Sequence, residues 1–219
     1  MRHGTPSIAA LGRSLDMLEA ILADNGERSV SAIAQDVGFP RATAHRQVVT
    51  LIEQRFLARL PGRRLGPGPR LLALLQLVDE KQVIVAAAAP VLHELAARVK
   101  SVVQLGTLEN DMVTYRIKTG RGAGDLFTKI GLQLEAYCTG IGKVLLAHLP
   151  HAEREAYLQS GPFPALTRHT ITDPDRLREV LIEVASQGFA RDAEEIAEGV
   201  QCLAVPVQCG QGRVTAAIS

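Results

Sequence analysis

Between residues 31 and 54 the sequence cannot form one continuous helix. Apolar side chains recur at helical spacing at Ile33, Ala34 and Val37 and again at Ala44, Val48, Leu51 and Ile52, but Gly38-Phe39-Pro40 stands between the two sets. Proline suits only the first turn of a helix, and glycine tolerates a left-handed backbone. Two short helices joined by a tight turn are therefore expected, one starting near Ser31 and the other covering about 41–54. The small Ala34 suits a close crossing of the pair. Ahead of them, Leu11, Leu15, Leu18 and Leu22 repeat at i, i+4, i+7 and i+11, the stripe of a third helix with Ser7 as its cap and Asn25-Gly26 as its end.

The second short helix has a polar side made of Arg41, Thr43, His45, Arg46, Gln47 and Thr50. Phe56–Leu60 reads as a strand, Pro61-Gly62 as a turn and Arg63–Gly66 as the returning strand, so a small wing adds Arg59, Arg63 and Arg64. Charge is concentrated here. Residues 41–70 hold seven arginines and one acid, Glu53, for a net +6; residues 1–70 carry +4 and residues 71–219 carry −3, which the chain's overall +1 conceals. A helix-turn-helix with a basic wing places its second helix in the major groove of double-stranded DNA. There an arginine fork can grip a phosphate or a guanine edge. The competing interpretation is a three-helix structural domain with a solvated basic face. Single-stranded binding is disfavoured, because Phe39 and Phe56 are too few aromatics for a stacking platform.

Pro67 and Pro69 close the wing, and Arg70–Val78 follows with leucines at 71, 72, 74, 75 and 77. A helix apolar on nearly every side must be covered all round, either by its copy in a second chain or by the chain's own C-terminal domain. Beyond it, a helix is expected over 83–100, with Pro90 as a kink or restart. A hairpin is expected over 101–119 around Glu109-Asn110-Asp111, and a loop at glycines 120, 122 and 124. Helices follow at 141–149, 153–159 and 174–187, and strands at 202–208 and 213–218, an α+β sheet domain. The expected divisions are residues 1–68, a winged helix-turn-helix; 69–82, a linker helix; and 83–219, a second domain.

Several classes are set aside. The N-terminus lacks an apolar signal core, and the most apolar run, Val83–Leu92, is about half a membrane span, so a cytoplasmic chain with no membrane partner is expected. The three cysteines, 138, 202 and 209, make no CxxC pair, and neither a disulfide nor a metal site is expected. Gly140-Ile141-Gly142-Lys143 resembles the end of a phosphate loop, but Tyr137 replaces its first glycine and Val144 its hydroxyl residue. No HExxH, Gly-x-Ser-x-Gly or dinucleotide pattern occurs, so neither enzymatic activity nor a cofactor is expected. Thr139-Gly140-Ile141-Gly142 leads into a helix whose amides could take an anion. Asp192, Glu194, Glu195 and Glu198 read as first-turn carboxylates of a helix. A second class of function is a redox sensor acting through Cys138, Cys202 or Cys209.

Taken in order, Phe39–Arg46, Leu65–Arg70, Thr139–Ala147, Gly188–Glu195, Gly199–Val207 and Ala216–Ser219 resemble the IclR-type bacterial transcriptional regulators over nearly the whole chain. The resemblance implies a winged helix, a linker helix and a GAF-like effector domain, assembled as a homodimer or a dimer of dimers on a near-palindromic operator. It implies a repressor whose effector is a small organic acid, often an aromatic catabolite or sugar acid. The effector pocket would be formed by Gly140 and Ile141, by Asp192, Cys202 and Ser219, and by Leu126, Leu134, Val200 and Cys138; Cys202 could equally be a small buried hydrophobe. Two departures stand out. Arg64 replaces the usual aromatic of a longer wing, and the chain stops inside the last strand motif, which suggests a truncation.

Overall fold

The structure, a computed structural model, describes residues 8–209 and 212–219, apart from the side chains of Arg63 and Cys209. The cap expected at Ser7 lies outside the described residues. The chain forms two compact units that divide between Asp79 and Glu80.

In the first unit, α1 (Ala9–Ala23), α2 (Val30–Asp36) and α3 (Arg41–Glu53) share one core of Met17, Leu18, Ile21, Ile33, Ala34, Ala44, Val48 and Leu51. The leucine stripe misplaced the buried face of α1. Leu11 and Leu15 are more than half exposed, while Met17 and Ile21 are covered. At about 100° per residue, the face centred on Met17, Leu18 and Ile21 lies about a quarter turn from the leucines. The second helix begins earlier than Ser31, because the Ser29 hydroxyl accepts the Ala32 N–H at 3.2 Å and caps it. Gly38 turns the chain with φ +70°, and Phe39 N–H donates back to the Ala34 carbonyl at 2.7 Å.

The wing is β1 (Leu57–Arg59) paired antiparallel with β2 (Leu65–Pro67) across a short 3₁₀ turn, Pro61–Arg63. Then comes α4 (Pro69–Leu77), a helix with no buried residue.

The second unit is an antiparallel sheet between two layers of helix. Its strands are β3 (Val103–Glu109), β4 (Met112–Thr119), β5 (Gln133–Glu135), β6 (Ala190–Ala193), β7 (Gln201–Cys209) and β8 (Arg213–Ile218), in the order β5-β4-β3-β8-β7-β6. The expected hairpin turns at Asn110 and Asp111, both with positive φ, as a two-residue type I′ connection requires. On one face α5 (Glu80–Val99) buries Ile84, Leu92 and Ala96 against Val103, Leu105 and Ile117. By length and composition this helix could cross a membrane; Ile84, Leu92 and Ala96 pack on the sheet, while Val83, Val91 and Val99 are more than half exposed. Pro90 lies inside it without ending it. On the other face α6 (Gly140–Ala147), α7 (His151–Gln159) and α8 (Pro174–Gln187) enclose the main core.

The short strands β5 and β6 were not anticipated. Nor is there a helix at 194–198: Asp192 belongs to β6, and the next acids lie in turns where Glu194 takes φ +66°. That left-handed residue is incompatible with a helix starting there.

Candidate functional site

On α3 the structure leaves Arg41, His45, Arg46 and Thr50 exposed, with Thr43 and Gln47 half-buried at the edge of the same face. Arg59 and Arg64 are exposed on the wing, and the side chain of Arg63 lies outside the described residues. Among the described residues, Arg41, Arg46, Arg59 and Arg64 have no carboxylate partner. Arg28 and Arg70 differ. Arg28 bridges Asp24 and Asp36, both at 2.5 Å, while Arg70 donates to Gln54 at 3.0 Å and lies over the Phe56 ring. The basic window is therefore less uniform than its charge count, and Arg70 braces the fold. Thr50 donates its hydroxyl back to the Arg46 carbonyl at 3.1 Å, which occupies it within its own helix.

The second unit holds a half-open cavity of about 290 Å³ at the start of α6. Leu126, Gly140, Ile141, Asp192, Val200, Cys202 and Ser219 line it, as expected from the sequence. Leu134 and Cys138 do not. Leu134 packs in the main core opposite Val113, and Cys138 is fully buried in the same core. Sequence reasoning missed Gln104, Tyr115, Phe127, Thr128, Thr139 and Ile196 on the wall. Gln104 and Tyr115 come from the strands and Thr128 from a loop, so no common spacing could have grouped them. A wider cleft of about 890 Å³ in the same unit is walled by ion pairs, Lys81–Glu109 and Arg213–Glu80, and gathers no comparable set of buried polar groups.

The sequence builds the cavity floor by close packing. The Thr139 hydroxyl accepts the Gly142 N–H at 3.1 Å and caps α6. A Cβ on Gly142 would fall 2.1 Å from the Ala136 carbonyl oxygen, so only glycine lets the helix start this tightly against the preceding chain. Gly140 directs its N–H at the Cys202 sulfur, leaving the Ile141 amide as a first-turn donor toward a ligand. Asp192, 2% exposed, accepts the Glu195 N–H at 2.8 Å through Oδ1, and its Oδ2 lies 3.8 Å from Cys202 Sγ. Burial, reinforced by the Glu195 charge, raises the Asp192 carboxyl above the ordinary carboxylate range. Gln104 donates to Thr128, and Lys118 anchors the neighbouring loop through the Leu126 carbonyl at 2.8 Å.

The thiols are poorly suited to redox sensing. Burial, then the Asp192 charge, pushes Cys138 up to about 12 and Cys202 up to about 11, so the reactive thiolate is scarce at neutral pH. The side chain of Cys209 lies outside the described residues. No cluster of metal-ligating side chains occurs among the described residues.

Comparison with known proteins agrees with both halves. Residues 10–61 match the IclR helix-turn-helix domain, and residues 76–219 match the family described as bacterial transcriptional regulator IclR C-terminal. The HTH-type transcriptional regulator XynR of Escherichia coli is 30% identical over 98% of this chain and 86% of its own. An IclR homolog from Microbacterium hydrocarbonoxydans, solved in complex with 4-hydroxybenzoate, is 27% identical over 95% of this chain and 87% of its own, with a TM-score of 0.59. The IclR of Thermotoga maritima is 26% identical over 97% of this chain and 86% of its own, also with a TM-score of 0.59. Together with the helix-turn-helix and the second-unit cavity, these matches make the chain a member of the IclR family of DNA-binding transcriptional regulators.

Proposed function

We propose that this chain is a ligand-responsive repressor: it binds a near-palindromic operator, and a small organic acid in the cavity at the start of α6 changes that affinity. The observation that carries this reading is the pairing, in one chain, of an arginine face without carboxylate partners and a cavity where a helix start, Asp192 and Ser219 converge. On this reading residues 1–68 form the DNA-binding domain, 69–82 the linker and 83–219 the effector domain. Arg41, Thr43, His45, Arg46, Gln47 and the wing arginines 59, 63 and 64 make the DNA contacts, with Thr50 in a lesser role. The cavity set is Leu126, Gly140, Ile141, Asp192, Val200, Cys202 and Ser219. The 4-hydroxybenzoate bound to the Microbacterium homolog supports an acid as the effector class. An operator-binding chain of this kind works in the bacterial cytoplasm, as a regulator and not as an enzyme.

The exposed leucines of α4 support a homodimer or a dimer of dimers. Leu72, Leu74, Leu75 and Leu77 are 41–80% exposed. Such an apolar surface costs about 25 cal/mol per Å² while it faces water, and a second copy would remove it from solvent. A dimer would also match the two-fold symmetry of a palindromic site. The test is a thermal-shift screen of the full chain against aromatic and sugar acids, followed by gel shifts on DNA from upstream of its own gene. An acid that raises the unfolding temperature should also change DNA affinity. Stabilising acids that leave DNA binding untouched would sink the reading.

A further inference from the structure

Two buried charges stand directly behind the cavity wall: Lys143, in the first turn of α6, and Glu195, in the turn after β6. They are 2% and 6% exposed, and the Lys143 ammonium donates to Oε1 of Glu195. The other oxygen, Oε2, is buried and has no hydrogen-bond partner. Glu195 also donates its backbone N–H to Asp192, so the residue that takes the lysine holds in place the one side-chain carboxylate among the described lining residues. From the far side, the Thr167 and Thr170 hydroxyls donate to the Glu194 and Glu195 carbonyls, both at 2.7 Å, and fix the turn.

A buried ion pair is rarely more stabilising than apolar groups of the same shape, so stability alone gives no reason for this one. Charge balance does. The titratable groups around Asp192 are Lys143 from α6, Glu195 from its own turn, Cys202 from β7, Tyr115 from β4 and Cys138 ahead of α6. Lys143 is the one cation in this set and is already paired, and no lysine or arginine lines the cavity among the described residues. With both side-chain carboxylates ionised, Lys143, Glu195 and Asp192 together carry one net negative charge.

We propose that Lys143 and Glu195 are positioning residues that set this charge, one net negative shared by Asp192 and Glu195, so that an anionic effector enters the cavity together with one proton. The inference rests on the cavity being the effector site. The proton comes from solvent and forms an O–H bond on Asp192; no other bond is made or broken. Burial and the Glu195 charge already favour the protonated form of Asp192, and a ligand anion would favour it more. The bound state then holds one more proton than the free state. Affinity therefore falls as pH rises, by at most about tenfold per pH unit.

The test compares the full wild-type chain with Glu195→Gln, which keeps an acceptor for Lys143 and removes one negative charge. In calorimetry with 4-hydroxybenzoate as the probe, in buffers of different ionisation heat between about pH 6 and about pH 9, wild type should take up close to one proton and weaken with rising pH. Glu195→Gln should bind with little pH dependence. Equal pH slopes in the two proteins, with the variant merely weaker throughout, would reduce the pair to a structural role and overturn the proposal. A potentiometric titration without ligand should show Asp192 ionising at lower pH in the variant than in wild type, because the Glu195 charge is gone while burial remains; superimposable curves apart from the deleted Glu195 group would also overturn it. If neither 4-hydroxybenzoate nor any acid of the panel binds wild type, the effector reading fails, and the ligand-free titration still decides the charge assignment. Should Glu195→Gln not fold, Asp192→Asn removes one of the two negative charges and carries the ligand-free titration; a proton count equal to wild type would overturn the proposal.

Discussion

The two helices that carry this protein's chemistry handle charge in opposite ways. On α3, Arg41 and Arg46 project into solvent without a carboxylate partner, while Ala44, Val48 and Leu51 do the packing. On α6 every one of the eight residues is buried, Lys143 included, and that lysine has its carboxylate. An exposed cation keeps its hydration and remains free to exchange water and counterions for phosphate. A buried cation must be paired before the fold can tolerate it. The same residue class is therefore left open to solvent on one helix and built into the interior on the other.

The largest effect should come from breaking the buried side of this contrast. Lys143→Met removes the buried cation that pairs with Glu195, which should cost about 3–5 kcal/mol of stability, read by thermal or denaturant unfolding. A variant as stable as wild type would mean that the pair is relaxed or hydrated in solution. On the exposed side, Arg46→Ala should change unfolding by no more than about 0.5 kcal/mol. It should nevertheless weaken operator binding by about 1–3 kcal/mol in a gel shift. Unchanged affinity would remove Arg46 from the interface.

Smaller effects sharpen the comparison. Arg59→Ala and Arg64→Ala should each reduce the slope of log K against log salt by about 1 if these arginines touch phosphates. An unaltered slope would place the wing off the backbone. Glu109, on the sheet hairpin, is an intermediate case. Burial raises its carboxyl, but hydrogen bonds and charge from Lys81 and Arg116 outweigh that and hold it at about 2. A lowered pKa stabilises the fold fully above the ordinary value of 4.5, and that contribution is lost as pH falls toward about 2. Glu109→Gln should therefore unfold a few degrees below wild type at neutral pH. The gap should close in acid, and a gap independent of pH would rule out this linkage.

The DNA-binding half was legible because local rules dominate it. Gly38 and Pro40 could only punctuate two helices, and the unpaired arginines stand out as charge without compensation. The face of α1 was misjudged for a tertiary reason, since bulky Met17 and Ile21 meet the other helices a quarter turn from the leucine stripe. In the second unit, chain order and helix positions were readable, whereas β5 and β6, of three and four residues, leave too little pattern to recognise. The cavity is a meeting of residues from 101 to 219, and the resemblance named Leu126, Gly140, Ile141, Asp192, Val200, Cys202 and Ser219 among them. Gln104 and Tyr115 were invisible because strand alternation gives a face, not a destination. Cys138 and Leu134 sit close in sequence to the cavity loop but turn into the core behind it.

The central claim is that the α6 cavity controls the affinity of the α3 face for DNA. Its most direct test is fluorescence anisotropy of the full chain on a duplex from upstream of its own gene, with and without an acid that raises its unfolding temperature, in wild type and in Val200→Phe. The added ring should fill part of a cavity of about 290 Å³ whose lining residues all belong to the second unit. The account predicts that the variant binds DNA as wild type does and no longer responds to the acid. An undiminished response in a folded Val200→Phe would contradict it.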